Sequence, residues 1–225
     1  MRSYRYLDFI TASFVAVLII SNIASTKIVD LGWFTFDGGT ILFPLAYIFG
    51  DVLTEVYGYA RSRRVIWIGF FWLVMMVVVL TIVDRLPAAS GYEMQDSFHA
   101  ILGQTPRIVA GSLAAFWAGE FVNSVILAKM KVRTQGKALW SRTITSTIFG
   151  QAIDTAIFLL IAFGGVLTTA TLWDVFKSNY VFKVGVEILF TPITYLIVRY
   201  LKRVEKSDVY DTDTDFSPFA VFPAD

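Results

Sequence analysis

The strongest constraint on this chain is charge placed inside apolar runs. Six stretches read as membrane spans, about Leu7–Ile28, Ile41–Tyr59, Arg64–Val83, Arg107–Met130, Thr143–Val166 and Tyr180–Arg199. Each meets the length of roughly 20 residues that a spanning helix needs. Four of the six carry ionisable side chains within the part that lipid should surround: Asp51 and Glu55 in the second, Glu120 in the fourth, Asp154 in the fifth, and Lys183 with Glu187 in the sixth. A charge near the bilayer centre costs about 3 kcal/mol or more, so such residues face a cavity or a partner and mark a transport path. The chain therefore reads as an all-α membrane protein with six transmembrane helices and a polar interior.

Composition agrees with that reading and closes others. Hydrophobic residues make up 56% of the 225 and charged residues only 16%, against about a quarter charged in a soluble domain. Cysteine is absent, which removes disulfides, thiolate metal sites and cysteine nucleophiles. His99 is the single histidine and lies in a polar connection, so no metal or cofactor is expected. No basic block marks a nucleic-acid partner. No His-Glu-x-x-His or Gly-x-Ser-x-Gly motif occurs, and Gly50-Asp51 lacks the second aspartate of an aspartyl intramembrane protease, so the chain is not expected to be an enzyme. The first apolar run is longer than a signal-peptide core and has no small-x-small cleavage site, so it reads as a retained span.

Residues 1–206 form one expected membrane domain, and 207–225 an acidic tail expected to be disordered. Lys and Arg favour the cytoplasmic side. With the N-terminus inside, 14 of the 19 Lys and Arg residues fall on that side, from Arg2 and Arg5 through Arg61, Arg63 and Arg64 to Arg199, Lys202, Arg203 and Lys206. The expected topology is N-in and C-in. Val29–Thr40 alternates apolar and polar residues before Asp-Gly-Gly, the pattern of a short hairpin, and Asp84–Pro106 is long enough for a surface helix. Ile48-Phe49-Gly50-Asp51 in the second span echoes Ile148-Phe149-Gly150-Gln151 in the fifth, with an acid following each. Since the two spans run in opposite directions, the echo is the mark of an inverted three-plus-three repeat, which places a site where the halves meet.

Helical spacing puts Tyr47, Asp51, Thr54 and Glu55 on one face of the second span. It does the same for Thr147, Gln151 and Asp154 in the fifth, and the fourth adds Trp117, Glu120 and Asn123. In one reading these stripes are interhelical glue, the acids pairing with Lys183, Arg142 or the Arg61–Arg64 cluster, and Lys183 neutralising Glu187 one turn away. In the other they line a binding cavity. Buried acids are costly unless paired, which favours a site at Asp51, Glu55 and Asp154. The candidate substrate-binding residues are Asp51, Glu55, Asp154, Gln151, Glu120, Asn123, Lys183, Tyr47 and Thr147. Tyr47, Phe49, Trp117 and Tyr180 are available to stack a planar ligand, and Arg142 to reach inward to an acid.

Three blocks carry a family resemblance: FPLAYIFGDVLTEVYGYARSRRVIWIGF, TITSTIFGQAIDTAIF and YVFKVGVEILFTPI. Together they resemble the queuosine precursor transporter family, part of the vitamin uptake transporter group, from Asn22 to Arg199. The resemblance implies a multi-pass protein of the bacterial inner membrane that imports 7-deazaguanine bases, and a six-helix architecture related to the substrate-binding subunits of energy-coupling-factor transporters. The polar residues that match are Asp51, Thr54, Glu55, Arg63, Arg64, Ser146, Thr147, Gly150, Asp154 and Lys183. The chain departs from some members at Gln151 and Glu120. A deazaguanine offers two adjacent donors that one carboxylate accepts as a bidentate pair, and Glu55 or Asp154 is expected to be that reader. No Gly-x-x-x-x-Gly-Lys-[Ser/Thr] motif occurs, so the chain reads as a facilitator, a proton-linked carrier or a subunit served by a separate motor. Its partners are the small base and the bilayer, and its size is compatible with a homodimer.

Overall fold

A computed structural model describes residues 4–24, 27–30, 35–103, 106–165 and 168–220. These form α1 (Leu7–Ala24), β1 (Ile28–Asp30), β2 (Thr35–Asp37), a 3-10 turn (Gly38–Ile41), α2 (Phe43–Val52) running into a π-helical turn (Leu53–Tyr57), α3 (Tyr59–Arg85), α4 (Gln95–Leu102), α5 (Pro106–Arg133), α6 (Leu139–Phe163) and α7 (Thr169–Glu205). The alternating segment after α1 pairs antiparallel, Ile28 opposite Asp37 and Asp30 opposite Thr35. Parts of several sequence features lie outside the described residues: Arg2, 25–26 of the first span, 31–34 of the expected hairpin, Val166 of the fifth span and 221–225 of the tail.

Among the described residues five helices are long and apolar enough to cross a membrane: Leu7–Ala24, Tyr59–Arg85, Ala110–Arg133, Leu139–Ile161 and Phe176–Glu205. The second expected span, Ile41–Tyr59, is not one continuous α-helix. Its α-helical part stops at Val52, the π turn ends at Tyr57, and Gly58 takes φ 86° before α3 begins. Ten residues of α2 and five of the π turn rise about 22 Å at helical pitch, short of the hydrocarbon core. The break has a physical cause. Every residue from Leu53 to Tyr57 is buried, so this segment answers to partners inside the bundle rather than to lipid. The backward bend needs a left-handed residue, and a Cβ at position 58 would stand 2.6 Å from Val209 Cγ1, so only glycine fits.

Burial is inverted relative to a soluble protein. Asp51, Glu55, Glu120, Lys131, Arg142 and Glu187 are at most 1% exposed. Phe71, Trp72, Val78, Val79 and Ile82 on α3, with Val181, Leu189, Ile193 and Leu196 on α7, are exposed, as a lipid-facing surface demands. An apolar cluster around Phe14, Leu18, Val52, Leu53, Leu73 and Val198 ties α1, α2, α3 and α7 together. α5 and α6 form the most extensive helix pair, and small residues set their spacing. A Cβ at Gly119 would lie 2.7 Å from Asp154 Cβ and 3.0 Å from the Gly150 carbonyl, and one at Gly150 would lie 3.0 Å from Asn123 Cβ. This close approach brings Glu120, Asn123, Gln151 and Asp154 into one layer.

The ends of several helices meet at one end of the bundle. Glu205, the last residue of α7, accepts hydrogen bonds from the Arg5 and Tyr6 amides at the start of α1 (2.9 and 2.7 Å) and from the Tyr57 hydroxyl (3.1 Å). Asp211 accepts the amide of Tyr59, first residue of α3, at 3.1 Å. Both carboxylates sit where a helix N-terminus leaves its amides unpaired and its dipole favours an anion.

The segment after α7, read from sequence as a disordered acidic tail, has no helix or strand through residue 220 but follows a defined path. Asp208 pairs with Lys131 (2.6 Å) and Lys202 (2.8 Å). Arg63 donates to the carbonyls of Asp215 and Ser217, Trp67 to that of Pro218 and the Tyr59 hydroxyl to that of Phe216. Phe219 then stands beside Trp67 and Trp117, ring centroids 6.3 and 5.8 Å away. Non-helical backbone against a membrane helix is tolerated when its polar groups are met in this way.

Two outcomes follow. Gly119→Ala forces α5 and α6 apart and lowers stability by about 1–3 kcal/mol, read as a lower melting midpoint in detergent. For the tail, burial raises the Asp208 carboxyl, but the hydrogen bonds and charges of Lys131 and Lys202 outweigh it and hold the group below its ordinary 3.8. A depressed carboxyl contributes fully above its ordinary value and loses that contribution only as pH falls through the lowered one. Tail amide exchange in Asp208→Asn is therefore faster than in the wild type, while the wild-type tail keeps the Asp208 charge at about pH 5 and above.

Candidate substrate-binding site

Two polar centres lie inside the bundle, one helical turn apart along the α2 segment. The first is built on Glu55 of the π turn. Its Oε1 accepts Arg142 Nη2 at 2.7 Å and Lys202 Nζ at 2.6 Å, with Lys131 Nζ at 3.8 Å. Lys131 also donates to the Glu55 carbonyl at 2.6 Å. Glu55, Lys131 and Arg142 are wholly buried. Arg142 reaches inward to an acid, as its place at the start of the fifth span suggested, and that acid is Glu55. One oxygen of Glu55, Oε2, has no hydrogen-bond partner. Glu55 thus sits under three cations at the charged end of the bundle, apart from the open acceptors deeper in.

The second centre is the layer that Gly119 and Gly150 create. α2 contributes Tyr47 and Asp51, α5 contributes Glu120 and Asn123, α6 contributes Thr147, Gln151 and Asp154, and α7 contributes Lys183 and Glu187. Asn123 Nδ2 donates to Asp51 Oδ1 at 3.1 Å. Gly50 leaves room for Glu120, since a Cβ there would stand 2.0 Å from Glu120 Oε1. Tyr47 lies beside Gln151 and within electrostatic reach of Asp154, Glu120 and Glu187. Glu120 and Glu187 are likewise within reach of Asp51. Thr147 is 1% exposed and its hydroxyl unpartnered.

Buried polar atoms are normally hydrogen-bonded, and exceptions call for an explanation. This layer holds many of them: Asp51 Oδ2, Glu120 Oε1, Glu187 Oε1, Asn123 Oδ1 and both amide atoms of Gln151. Trp117 Nε1, one turn from Glu120, is a further orphan donor. A flat polar molecule with several donors and an acceptor would satisfy such a set.

Sequence reasoning missed Glu187. Its spacing from Lys183 suggested a pair within one helix, but Lys183 reaches across to Asp154 Oδ2 on α6, which leaves Glu187 1% exposed with Oε1 unpartnered. The signal was present as a buried-face acid on α7 and was hidden by an equally spaced lysine. Other matched residues hold the frame. The Thr54 hydroxyl bonds Ser62 and Ser124 at 2.9 and 3.1 Å, Ser146 bonds the Thr143 carbonyl at 2.9 Å, and Arg63 holds the tail. Tyr180 stacks on Phe176 and donates to the Ile148 carbonyl, away from the acids.

The family described as "Putative vitamin uptake transporter" matches residues 37–197, a stretch that contains every candidate residue. The chain belongs to this family. With five long apolar helices, this vitamin uptake transporter family member is a multi-pass membrane protein. It is 28% identical over 190 residues to a "Probable queuosine precursor transporter" of Bacillus subtilis, covering 84% of this chain and 83% of the relative. It is 24% identical over 212 residues to the "Queuosine precursor transporter" of Escherichia coli, covering 92% and 93%. A "Probable queuosine precursor transporter" of Haemophilus influenzae is 25% identical over 125 residues, covering 56% and 51%. No solved structure matches the chain.

The two centres of this transporter respond differently to neutralisation. Glu55→Gln takes the carboxylate from Arg142, leaves Lys131 and Lys202 with Asp208 alone, and costs about 3–5 kcal/mol of stability. Asp51→Asn keeps a partner for Asn123 and costs less than about 1.5 kcal/mol. Melting of the two variants in detergent, beside the wild type, measures the difference.

Proposed function

We propose that this chain imports queuosine precursors, 7-deazaguanine bases, across the bacterial inner membrane, and that the second polar centre binds them. The observation that carries this reading is the fully buried, unsatisfied set at Asp51, Glu120, Asn123 and Gln151, in a chain whose relatives bear the name of that activity. The ring N–H and exocyclic amine of a deazaguanine are adjacent donors, and a carboxylate takes both with charge-assisted strength. Asp51 offers an open oxygen for this edge, and Glu120 one for a donor elsewhere on the base. Gln151 supplies a donor for the carbonyl edge, and Tyr47 and Trp117 supply flat faces. Glu55 serves as the anchor of the charged end, and Asp154 with Lys183 as a pair flanking the base.

Six crossings with both termini cytoplasmic fit this transporter best. Glu205 and Asp211 cap α1 and α3 from the end of the chain, so both helices begin where α7 finishes. A chain that leaves that end along α1 and starts α3 there again needs the α2 segment to bring it back. Arg61, Lys131, Arg142 and Lys202 cluster at the same end, which the positive-inside preference assigns to the cytoplasm. An inverted repeat is supported by the shared Ile-Phe-Gly motif, whose glycines, Gly50 and Gly150, both face α5. The buried acids also supply groups for proton linkage, which a fall in uptake on collapsing the proton gradient would support.

The test is queuosine in tRNA of a strain that neither makes nor imports the precursors. Expression of this chain restores queuosine when the base is fed. Asp51→Asn and Glu120→Gln, present in the membrane at wild-type level, lose at least about 90% of that restoration, consistent with the loss of one charge-assisted contact. Restoration that needs the motor subunits of an energy-coupling-factor system would assign a substrate-capturing role instead. No restoration by any base, with good membrane expression, overturns import of these precursors.

A further inference from the structure

The interior layer holds more acids than its fold can pair. Asp51, Glu120, Asp154 and Glu187 face Lys183 there, and Lys183 is committed to Asp154. The cations that stand nearest in number, Arg142, Lys131 and Lys202, are held on Glu55 at the end of the bundle. Among the described residues three carboxylates are therefore left without a cation, each buried and each with one unpartnered oxygen: Asp51 Oδ2, Glu120 Oε1 and Glu187 Oε1. They are near enough to repel one another when ionised. Stranding three such charges in an apolar interior is costly unless something pairs them.

The orphan atoms around them set the chemistry of what is missing. Gln151 and Asn123 are wholly buried, and Asn123 Oδ1 and Gln151 Oε1 add two more open acceptors. Acceptors outnumber donors. Among the described residues no group of acids and histidines has the arrangement of a metal cage, so a coordinated cation is a poor fit. An alkylammonium suits the layer better, for it brings three N–H donors, one positive charge and no acceptor.

We infer that Asp51, Glu120 and Glu187 make this layer selective for a cargo that carries a protonated alkylamine on its flat base. The inference rests on the proposed binding of 7-deazaguanines and specifies which of them the site prefers. Glu187 acts with Glu120 on the amine, which places a residue of α7 in direct contact with substrate. An uncharged substituent of the same size leaves the carboxylate oxygens unmet and the repulsion unrelieved.

The experiment compares two ligands on the wild-type protein in nanodiscs: a 7-deazaguanine bearing an aminomethyl arm and the same ring bearing a nitrile. The ring is identical, so the ratio of their dissociation constants reads the arm alone. The aminomethyl base binds at least about tenfold more tightly, the size expected for one charge-assisted hydrogen bond. Glu187→Gln brings the ratio towards one, and Glu120→Gln does so independently if the first variant expresses poorly. Equal affinities, or a preference for the nitrile, overturn the charge selectivity while base binding stands. Absence of binding by both bases overturns the import reading and this inference with it.

Discussion

The fold depends on one buried anion. Glu55 sits in the π turn and is held by side chains of α5, α6 and α7 at once. Taking a carboxylate and its cations out of water costs several kcal/mol per ion, and only close geometry with further hydrogen bonds recovers it. Those further bonds are present: Lys131 also meets the Glu55 carbonyl, and Arg142 also meets Thr134 Oγ1 at 3.1 Å. With its end fixed in this way, the α2 segment can stop short of a full span. Asp51, one turn deeper, is then left facing α5 and α7 with no cation of its own. The anchored centre and the open centre are thus two consequences of the same arrangement.

The division of labour between the two centres also explains why helix spacing is so tight in one place. Glycine at positions 119 and 150 lets α5 and α6 approach until Asp154 and Asn123 touch the opposing backbone. Dispersion between close backbones replaces the hydrophobic drive that lipid cannot supply. The same approach squeezes the acids of both helices into a shared layer with Asp51 and Glu187. Packing that holds the helices together therefore also sets the electrostatic problem that a ligand would relieve.

Much of this was legible in the sequence. The five long apolar helices, the short helix after α3 and the interior faces of Asp51, Glu120, Asn123, Gln151 and Asp154 follow from hydropathy and helical period. What did not follow was pairing. Period reports which face a residue is on, not which partner lies opposite. Lys183 could reach Glu187 along its own helix or Asp154 across to α6, and only the interhelical distance decides. Glu55 looked as open as Asp51, because its counter-ions come from three other helices and one lies beyond residue 197, outside the stretch the family shares. The stop of the α-helix at Val52 was concealed by a helical period that continues to Tyr59. The path of the tail was hidden for a similar reason, since acidic composition does not reveal that its carbonyls find Arg63 and Trp67.

The counter-ions of Glu55 have a further consequence for how the molecule is made. They follow it in the chain by 76, 87 and 147 residues. During vectorial synthesis the acid enters the membrane long before Lys202 leaves the ribosome. The nascent protein must therefore keep the π turn near the interface until α5 and α6 arrive. The last helix then closes the cluster, and the tail seals it through Asp208. Insertion of the α2 segment is in this sense a late event carried out by an early part of the chain.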